Sequence, residues 1–399
     1  MSLPEPRTQN PAPSALPEPR TQNPEPSALP GPSTQHPAPS AFRIAILGTR
    51  GIPANYGGFE TFAEELSMRL AARGHEVVVY CRQRPAEPVY RGVRLRYLPT
   101  IRHKYLDTIV HTCVSTIDLL AHRVDVALYC NGANTIFTVL PRLCGMPVAL
   151  NVDGLERQRK KWNRAAKTWY LASEWLATFL PSALVTDARS IQRYYAQRYH
   201  KRTTFIPYGA ETGTVESTGV LAQLGLEPGR YFLYVSRMEP ENHALDVREA
   251  FERVRTDMKL ALIGDAPYAR DYIRQVRDTR DPRIVIPGAI YGQGYHELDA
   301  HCFAYIHATE VGGTHPALIE AMGRGALVLY RDTAENSEVA GDAGIPFHGN
   351  LAEKLQQALA MSEAERETLR CRARERVEQH YSWNAVATAY ENLFQSIMK

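Results

Sequence analysis

The chain has 399 residues, 44% of them hydrophobic, and a formal net charge of +3. That length supports two cored domains with chain left over, and so small a charge argues against nucleic acid as a partner. No apolar run approaches the ~20 residues a membrane span needs, and no basic-then-apolar leader opens the chain, so no export is expected. The six cysteines show no C-x-x-C spacing, and several sit in apolar runs. They predict reduced, buried thiols in a cytoplasmic protein, with neither a disulfide frame nor a zinc site.

Residues 1–41 stand apart. Leu3–Ala15, Leu16–Ala28 and Leu29–Ala41 are imperfect copies of one unit, LPEPRTQNPAPSA. Proline recurs every few residues and almost nothing is apolar. Such a segment cannot bury enough surface to offset its ordering entropy, so a disordered, extended, dispensable tail is expected.

Folded sequence begins at Phe42. Arg43–Leu47 predicts a strand ending in Gly48-Thr-Arg-Gly51. A helix follows, with Phe59, Phe62, Ala63, Leu66 and Leu70 at 3.6-residue spacing, and Arg73-Gly74 stops it. Glu76–Cys81 is the next strand, and further apolar runs cover Val93–Leu98, Val124–Cys130, Pro147–Val152, Ala183–Thr186 and Thr203–Ile206. Helical patterns separate most of them, as in a parallel sheet covered on both faces. Pro207–Gly213 interrupts the alternation, which restarts with strands at Tyr231–Val235, Lys259–Ile263, Arg283–Ile286, Cys302–His307 and Ala326–Leu329. An amphipathic helix opened by an N-cap serine, Ser382, closes the chain. The expected fold is α/β: two Rossmann-like, doubly wound domains (42–210 and 211–380) facing a cleft, a C-terminal crossover helix (381–399) and the tail (1–41).

Ligands of such sheets bind beyond the C-terminal strand ends. Four segments fall there. Glu310–Gly325 carries Gly312, Gly313 and Thr314 before a helix opened by Pro316, whose free N–H groups suit an anion. Glu320, one turn in, leans back toward that anion and is placed to hold a vicinal diol. A diphosphate beside a ribose makes a nucleotide sugar the expected ligand. Arg237, after the first rear strand, suits the diphosphate, the alternative being a surface pair with Glu239 or Glu241. In the front domain, Gly57-Gly58 opens a helix where the chain is closely approached, Glu60 caps its dipole or faces the cleft, and Asp153 ends a strand at the cleft. Arg157–Lys167 is basic: Lys160, Arg164 and Lys167 share one helical face, and Trp162, Ala166, Trp169, Ser173 and Leu176 another. That stretch either touches anionic lipid or lies solvated over a core seam.

These residues resemble a known family. Gly57-Gly58-Phe-Glu60 with Arg73-Gly-His-Glu-Val77, Ser236-Arg237-x-x-Pro240-Glu241, Gly312–Met322 and the closing Tyr381-Ser-Trp383 are similar to retaining GT-B glycosyltransferases of the large family 4. The wording is nearest a branch of capsule and polysaccharide rhamnosyltransferases. The resemblance implies that Glu320 holds the donor ribose, Arg237 grips the diphosphate, Gly57 and Gly58 lie near phosphate and acceptor, and the terminal helix packs back on the first domain. It implies transfer of a hexose or deoxyhexose to a lipid-linked glycan on the inner membrane face, with no metal and no cofactor. Asp153 is the candidate for orienting acceptor or sugar, and Arg50, Glu60, Lys160, Lys161 and Arg164 for acceptor or membrane contact. The sequence departs from the family twice: Gly312 replaces the first glutamate of E-x7-E, and Asn242 a lysine that follows the arginine. Glu310 is one substitute for the glutamate, Arg50 or His315 for the lysine. The departures keep two other readings open, a sugar-nucleotide epimerase and a catalytically weak sugar-nucleotide-binding protein. A dehydrogenase is disfavoured because G-x-G-x-x-G is missing.

Overall fold

The computed structural model describes residues 41–399 apart from 55–56, 102, 104–105, 160–161 and 267–268. The expectations for the repeat tail, and for Lys160 and Lys161, lie outside the described residues. The first sheet takes β1 (Arg43–Leu47), β2 (Glu76–Cys81), β3 (Val89–Tyr90), β4 (Val93–Tyr97), β5 (Val126–Cys130), β6 (Val148–Asn151), β7 (Ala183–Thr186) and β8 (Thr204–Phe205). In space they run β3-β4-β2-β1-β5-β6-β7-β8, and only the β3–β4 pair is antiparallel. The second takes β9 (Tyr231–Val235), β10 (Lys259–Ile263), β11 (Ile284–Gly288), β12 (Ala304–His307), β13 (Leu327–Arg331) and β14 (Gly344–Phe347), in the order β11-β10-β9-β12-β13-β14, all parallel.

The central strands are continuous apolar runs because helices cover both faces, and Ile44–Leu47 and Leu260–Ile263 are wholly buried. Strand order reverses at β1 and at β9, and the loops leaving these strands meet across one cleft. That is the two-lobed α/β architecture expected. Apolar periodicity did not find β3 and β14. The first is two residues long, and the second, Gly-Ile-Pro-Phe, has a glycine and a proline that hide its pattern.

The terminal helix, Trp383–Met398, crosses back to the front lobe as expected. Its Glu391 takes His75 Nε2 at 2.8 Å and pairs with Arg73, and its Tyr390 hydroxyl receives a 3.0 Å hydrogen bond from Asn151 Nδ2. Ser382 sits at the N-cap, but its side chain makes no capping bond. Cys81, Cys130 and Cys302 are buried thiols, whereas Cys144 and Cys371 are exposed, contrary to a uniformly buried set.

Candidate active site

Two cavities of about 780 and 460 Å³ lie in the cleft and share Gly57, Gly58, Arg159, Arg237, His315 and Pro316 along their walls. They are two ends of one space. The smaller end sits over the rear sheet and is lined by Asn242, Gly264, Tyr295 and Glu320. The larger faces the front lobe and is lined by Arg50, Glu60, Asp153, Glu156, Trp162 and Tyr170.

The smaller end holds both rear-lobe residues singled out from sequence. Pro316 opens the helix Pro316–Gly323, and Glu320 hangs back along it to accept a 2.6 Å hydrogen bond from the Tyr295 hydroxyl. Burial raises the Glu320 pKa above the ordinary carboxylate range, with nearby Glu65 adding to the effect. Arg237 lines both cavities, and among the described residues its nearest carboxylate, Glu239, is at 4.0 Å, too long to occupy the guanidinium. Asn242, in place of the family's lysine, is buried and donates to the Arg237 carbonyl at 2.6 Å. It braces the loop that carries Arg237. Glu310 does not fill the place left by Gly312: it is exposed, bonded to His243 Nε2 at 2.9 Å, and lines neither cavity.

Where the lobes touch, side chains are small because backbones meet. A Cβ on Gly154 would lie 2.6 Å from the Gly313 nitrogen, and one on Gly58 would lie 2.8 Å from Pro316 Cγ. The close approach expected at Gly58 thus comes from the opposite lobe. A Cβ on Gly57 would meet only Glu60, at 3.6 Å, so Gly57 is open to the cleft. Thr314, placed at the donor from sequence, gives its N–H to Asp187 Oδ2 at 2.8 Å and its hydroxyl to the Asp187 carbonyl. Both donors are committed to the front lobe, so Thr314 ties the lobes together. A second tie runs from Glu338 to the N–H groups of Arg189 and Ser190, which open the helix Arg189–Tyr199.

Asp153 does reach the cleft, on a left-handed backbone (φ 58) held by Asn151 Oδ1 at 3.0 Å. Its partner is Asp187. Burial raises both pKa values, and Asp187, facing the Asp153 charge, is pushed well above the ordinary carboxylate range. Of the two, Asp187 is the one whose surroundings more strongly favour the protonated form. The sign of the linkage follows: a raised folded pKa gives stability that is complete below about pH 4 and declines as pH rises toward that pKa. Asp187→Asn keeps a donor toward Asp153 and an acceptor for Thr314 but removes the titration. Its melting temperature relative to wild type should rise as the pH is raised above about 4. A difference that does not change with pH would mean the two carboxyls share no proton.

Glu60 is buried, and its Oε1 accepts the Arg50 N–H at 2.9 Å, which pins the loop after β1. It braces the turn over which Arg50 and Gly57 meet the cleft, more than it caps its own helix. The basic segment differs from the expected single helix. The helix begins at Arg164, with Asn163 as N-cap accepting from Ala166 at 2.9 Å. Trp162 precedes it and turns into the larger cavity, its ring 5.5 Å from that of Tyr170. Arg164 and Lys167 are exposed, and so are Trp169, Leu171 and Trp175. Only Tyr170, Ser173, Glu174 and Ala177 of this helix are buried, so its aromatic stripe is no core seam.

Three residues lining or bracing the cleft escaped sequence reasoning. Arg159 stands within a run of cations, which hides it, yet its side chain is turned inward. It is buried, held by Glu156 Oε1 at 2.6 Å, while its Nη1 has no hydrogen bond and lies 4.0 Å from Glu241. Asp187 follows β7, and its place at a strand end was the signal available. Tyr295 had none, because nothing local marks a helix tyrosine as the partner of a distant glutamate.

Two facing parallel-sheet lobes with such a cleft define the GT-B architecture. The comparisons agree: the model for Glycosyltransferase Family 4 matches residues 56–214 and that for Glycosyl transferases group 1 matches residues 229–361, together most of the chain. The chain belongs to the GT-B glycosyltransferases, with a family 4 front lobe and a group 1 rear lobe. Sucrose-phosphate synthase from Thermosynechococcus elongatus superposes with a TM-score of 0.71 at 18% identity, over 89% of this chain and 98% of that one. The Anabaena protein HepE, solved with UDP-glucose, gives 0.72 at 16% identity over 89% and 100%. WaaG, a glycosyltransferase involved in lipopolysaccharide biosynthesis, gives 0.68 at 16% over 89% and 99%. At such identities the likeness is one of fold. No curated protein matches the sequence.

Proposed function

We propose that this glycosyltransferase moves a hexose or deoxyhexose, rhamnose among the candidates, from a nucleoside-diphosphate donor to a lipid-linked glycan, with retention of configuration. One observation carries the proposal: Arg237 and Glu320 converge on one cavity beyond the ends of the rear strands, opposite the Gly57-Gly58 helix start. An arginine and a carboxylate so placed suit the two ends of a nucleotide sugar, diphosphate and ribose. HepE, which shares the fold, was solved with UDP-glucose.

In the reaction the bond from the sugar's anomeric carbon to the diphosphate oxygen breaks, and an acceptor oxygen bonds that carbon on the same face. The departing diphosphate takes the acceptor proton. Negative charge grows on the leaving group, so cations fixed beside it lower the barrier. Arg237 fills that role from the rear lobe and Arg159 from the front. Asp153, just past the end of β6 and facing the larger cavity, orients the acceptor hydroxyl or the sugar. No metal is assigned a part, and activity should survive chelation. The test is to incubate the protein with sugar nucleotides and lipid-linked acceptors. Absence of both product and donor binding would end the proposal.

The acceptor's lipid accounts for the exposed aromatic surface of the front lobe. Among the described residues no helix is long and apolar enough to cross a membrane. Yet Trp175 and Phe179 are 57% and 46% exposed, with rings 4.7 Å apart. Arg142 bonds the carbonyls of Phe179 and Leu180, and Leu140 and Leu143 in the same short helix as Arg142 are exposed as well. Aromatics with Arg164 and Lys167 nearby suit a peripheral site on anionic lipid at the cytoplasmic face. Trp175→Ala with Phe179→Ala should lower binding to phosphatidylglycerol vesicles at least ~10-fold, since each apolar side chain withdrawn from water contributes about 1.5–3 kcal/mol. Cosedimentation checks this, and undiminished binding would remove the surface from the proposal.

A further inference from the structure

We infer that His315 Nε2 is the hydrogen-bond acceptor that reads a hydroxyl of the transferred sugar, in the place where the family resemblance puts a glutamate. The inference rests on the donor site proposed above and names what in that site recognises the sugar.

The geometry begins with Gly312. A Cβ built there would collide with His315 Nε2 and lie 2.9 Å from Cδ2 of the same ring. The imidazole therefore occupies the space from which a side chain at 312 would leave. A glutamate at 312 and a histidine held this way exclude one another.

The ring's orientation and tautomer are also decided. His315 Nδ1 lies 2.7 Å from Asn336 Oδ1. The Asn336 amide cannot be turned round, because its Nδ2 donates to the Thr309 carbonyl at 3.0 Å and the Arg331 carbonyl at 2.8 Å. Its oxygen can only accept, so Nδ1 carries the proton. Burial holds the imidazole below the usual histidine range despite the opposing pull of Asn336, Glu335 and the Val311 carbonyl, the charge of Arg159 adds to the lowering, and the His307 ring packs at 4.9 Å. The ring is neutral at physiological pH and Nε2 presents a bare lone pair. His315 is therefore no substitute for the absent lysine, a role open to it on sequence alone.

That lone pair is buried without a hydrogen-bond partner, on a residue lining both cavities where they join beside Arg237. A buried acceptor left unmet costs ~1–3 kcal/mol, and a donor O–H from a ligand removes that penalty. A diphosphate oxygen has no proton to offer at neutral pH, so the partner is a sugar hydroxyl. A carboxylate can bridge two vicinal hydroxyls, whereas one lone pair serves one, so the site holds the sugar at a single hydroxyl here.

The test compares nucleoside diphosphates with their sugar derivatives by calorimetry, using UDP with UDP-glucose, GDP with GDP-mannose and dTDP with dTDP-rhamnose. For the pair that wild type binds best, His315→Phe should weaken the sugar nucleotide at least tenfold and leave the diphosphate within twofold. Gly312→Glu combined with His315→Ala, which restores the family's carboxylate, should recover much of the sugar affinity, and it keeps the question open to test if the phenylalanine variant misfolds. Equal loss of diphosphate and sugar nucleotide, no loss of either, or a double variant no better than His315→Ala would each overturn the inference. If wild type binds none of the three diphosphates, the proposed function itself fails and His315 loses its role with it.

Discussion

Arg237→Ala should lower kcat/KM about 100-fold and leave the melting temperature nearly unchanged. The size follows from removing one fixed donor aimed at developing charge, which typically costs ~3 kcal/mol of transition-state stabilisation. The small effect on stability follows from the contacts: among the described residues the guanidinium has one carboxylate neighbour, at 4.0 Å, and it is partly exposed. Glu320→Ala should cost at least ~10-fold, the loss of one charged hydrogen bond to the donor. Glu320→Gln should fall between, because it keeps a polar group facing Tyr295. Steady-state kinetics on the sugar nucleotide that most raises the melting temperature would check all three, since a ligand stabilises the folded chain by mass action. Unchanged kinetics in both alanine variants would remove the site assignment.

Arg159→Ala should weaken nucleoside-diphosphate binding by ~10–100-fold, on the same worth of a charge-assisted contact. Here stability falls too, because Glu241 is left fully buried without the cation beside it, a change that can cost about 3–5 kcal/mol. The melting temperature therefore cannot separate a binding role from a packing role, and a rescue can. Asn242 lines the same cavity as Arg159 and stands where the resemblance expects a lysine. Asn242→Lys in the Arg159→Ala background should restore diphosphate affinity without restoring the melting temperature. If stability and affinity return together, or neither does, Arg159 acts as a structural ion pair only. Because Arg159 belongs to the front lobe and Arg237 to the rear, a donor held by both favours the closed cleft.

Elements were legible to the degree that their signals were local. Glu76–Cys81, Tyr231–Val235 and Lys259–Ile263 are strands with the boundaries their apolar runs suggest, since a strand buried on both faces needs continuous hydrophobicity. The helix at Pro316 starts where proline's missing N–H is harmless. The helix carrying Trp175 starts later than its periodicity implied, because Asn163 caps it and releases Trp162 into the cleft. Its tryptophans looked like a core stripe because periodicity reports that a face is apolar, not what covers it.

Strand, turn and helix start are set by neighbours within a few residues, so the two lobes, the cleft between them and the positions of Arg237 and Glu320 could be drawn from the chain alone. Arg159, Asp187 and His315 acquire meaning only through partners in the opposite lobe or on another element: Glu241 for the first, Thr314 for the second, Asn336 and Gly312 for the third. Charge, burial and tautomer are properties of surroundings assembled by packing. No spacing along the chain encodes them, so the surroundings of Gly312 and Asn242 could be read only from the folded structure.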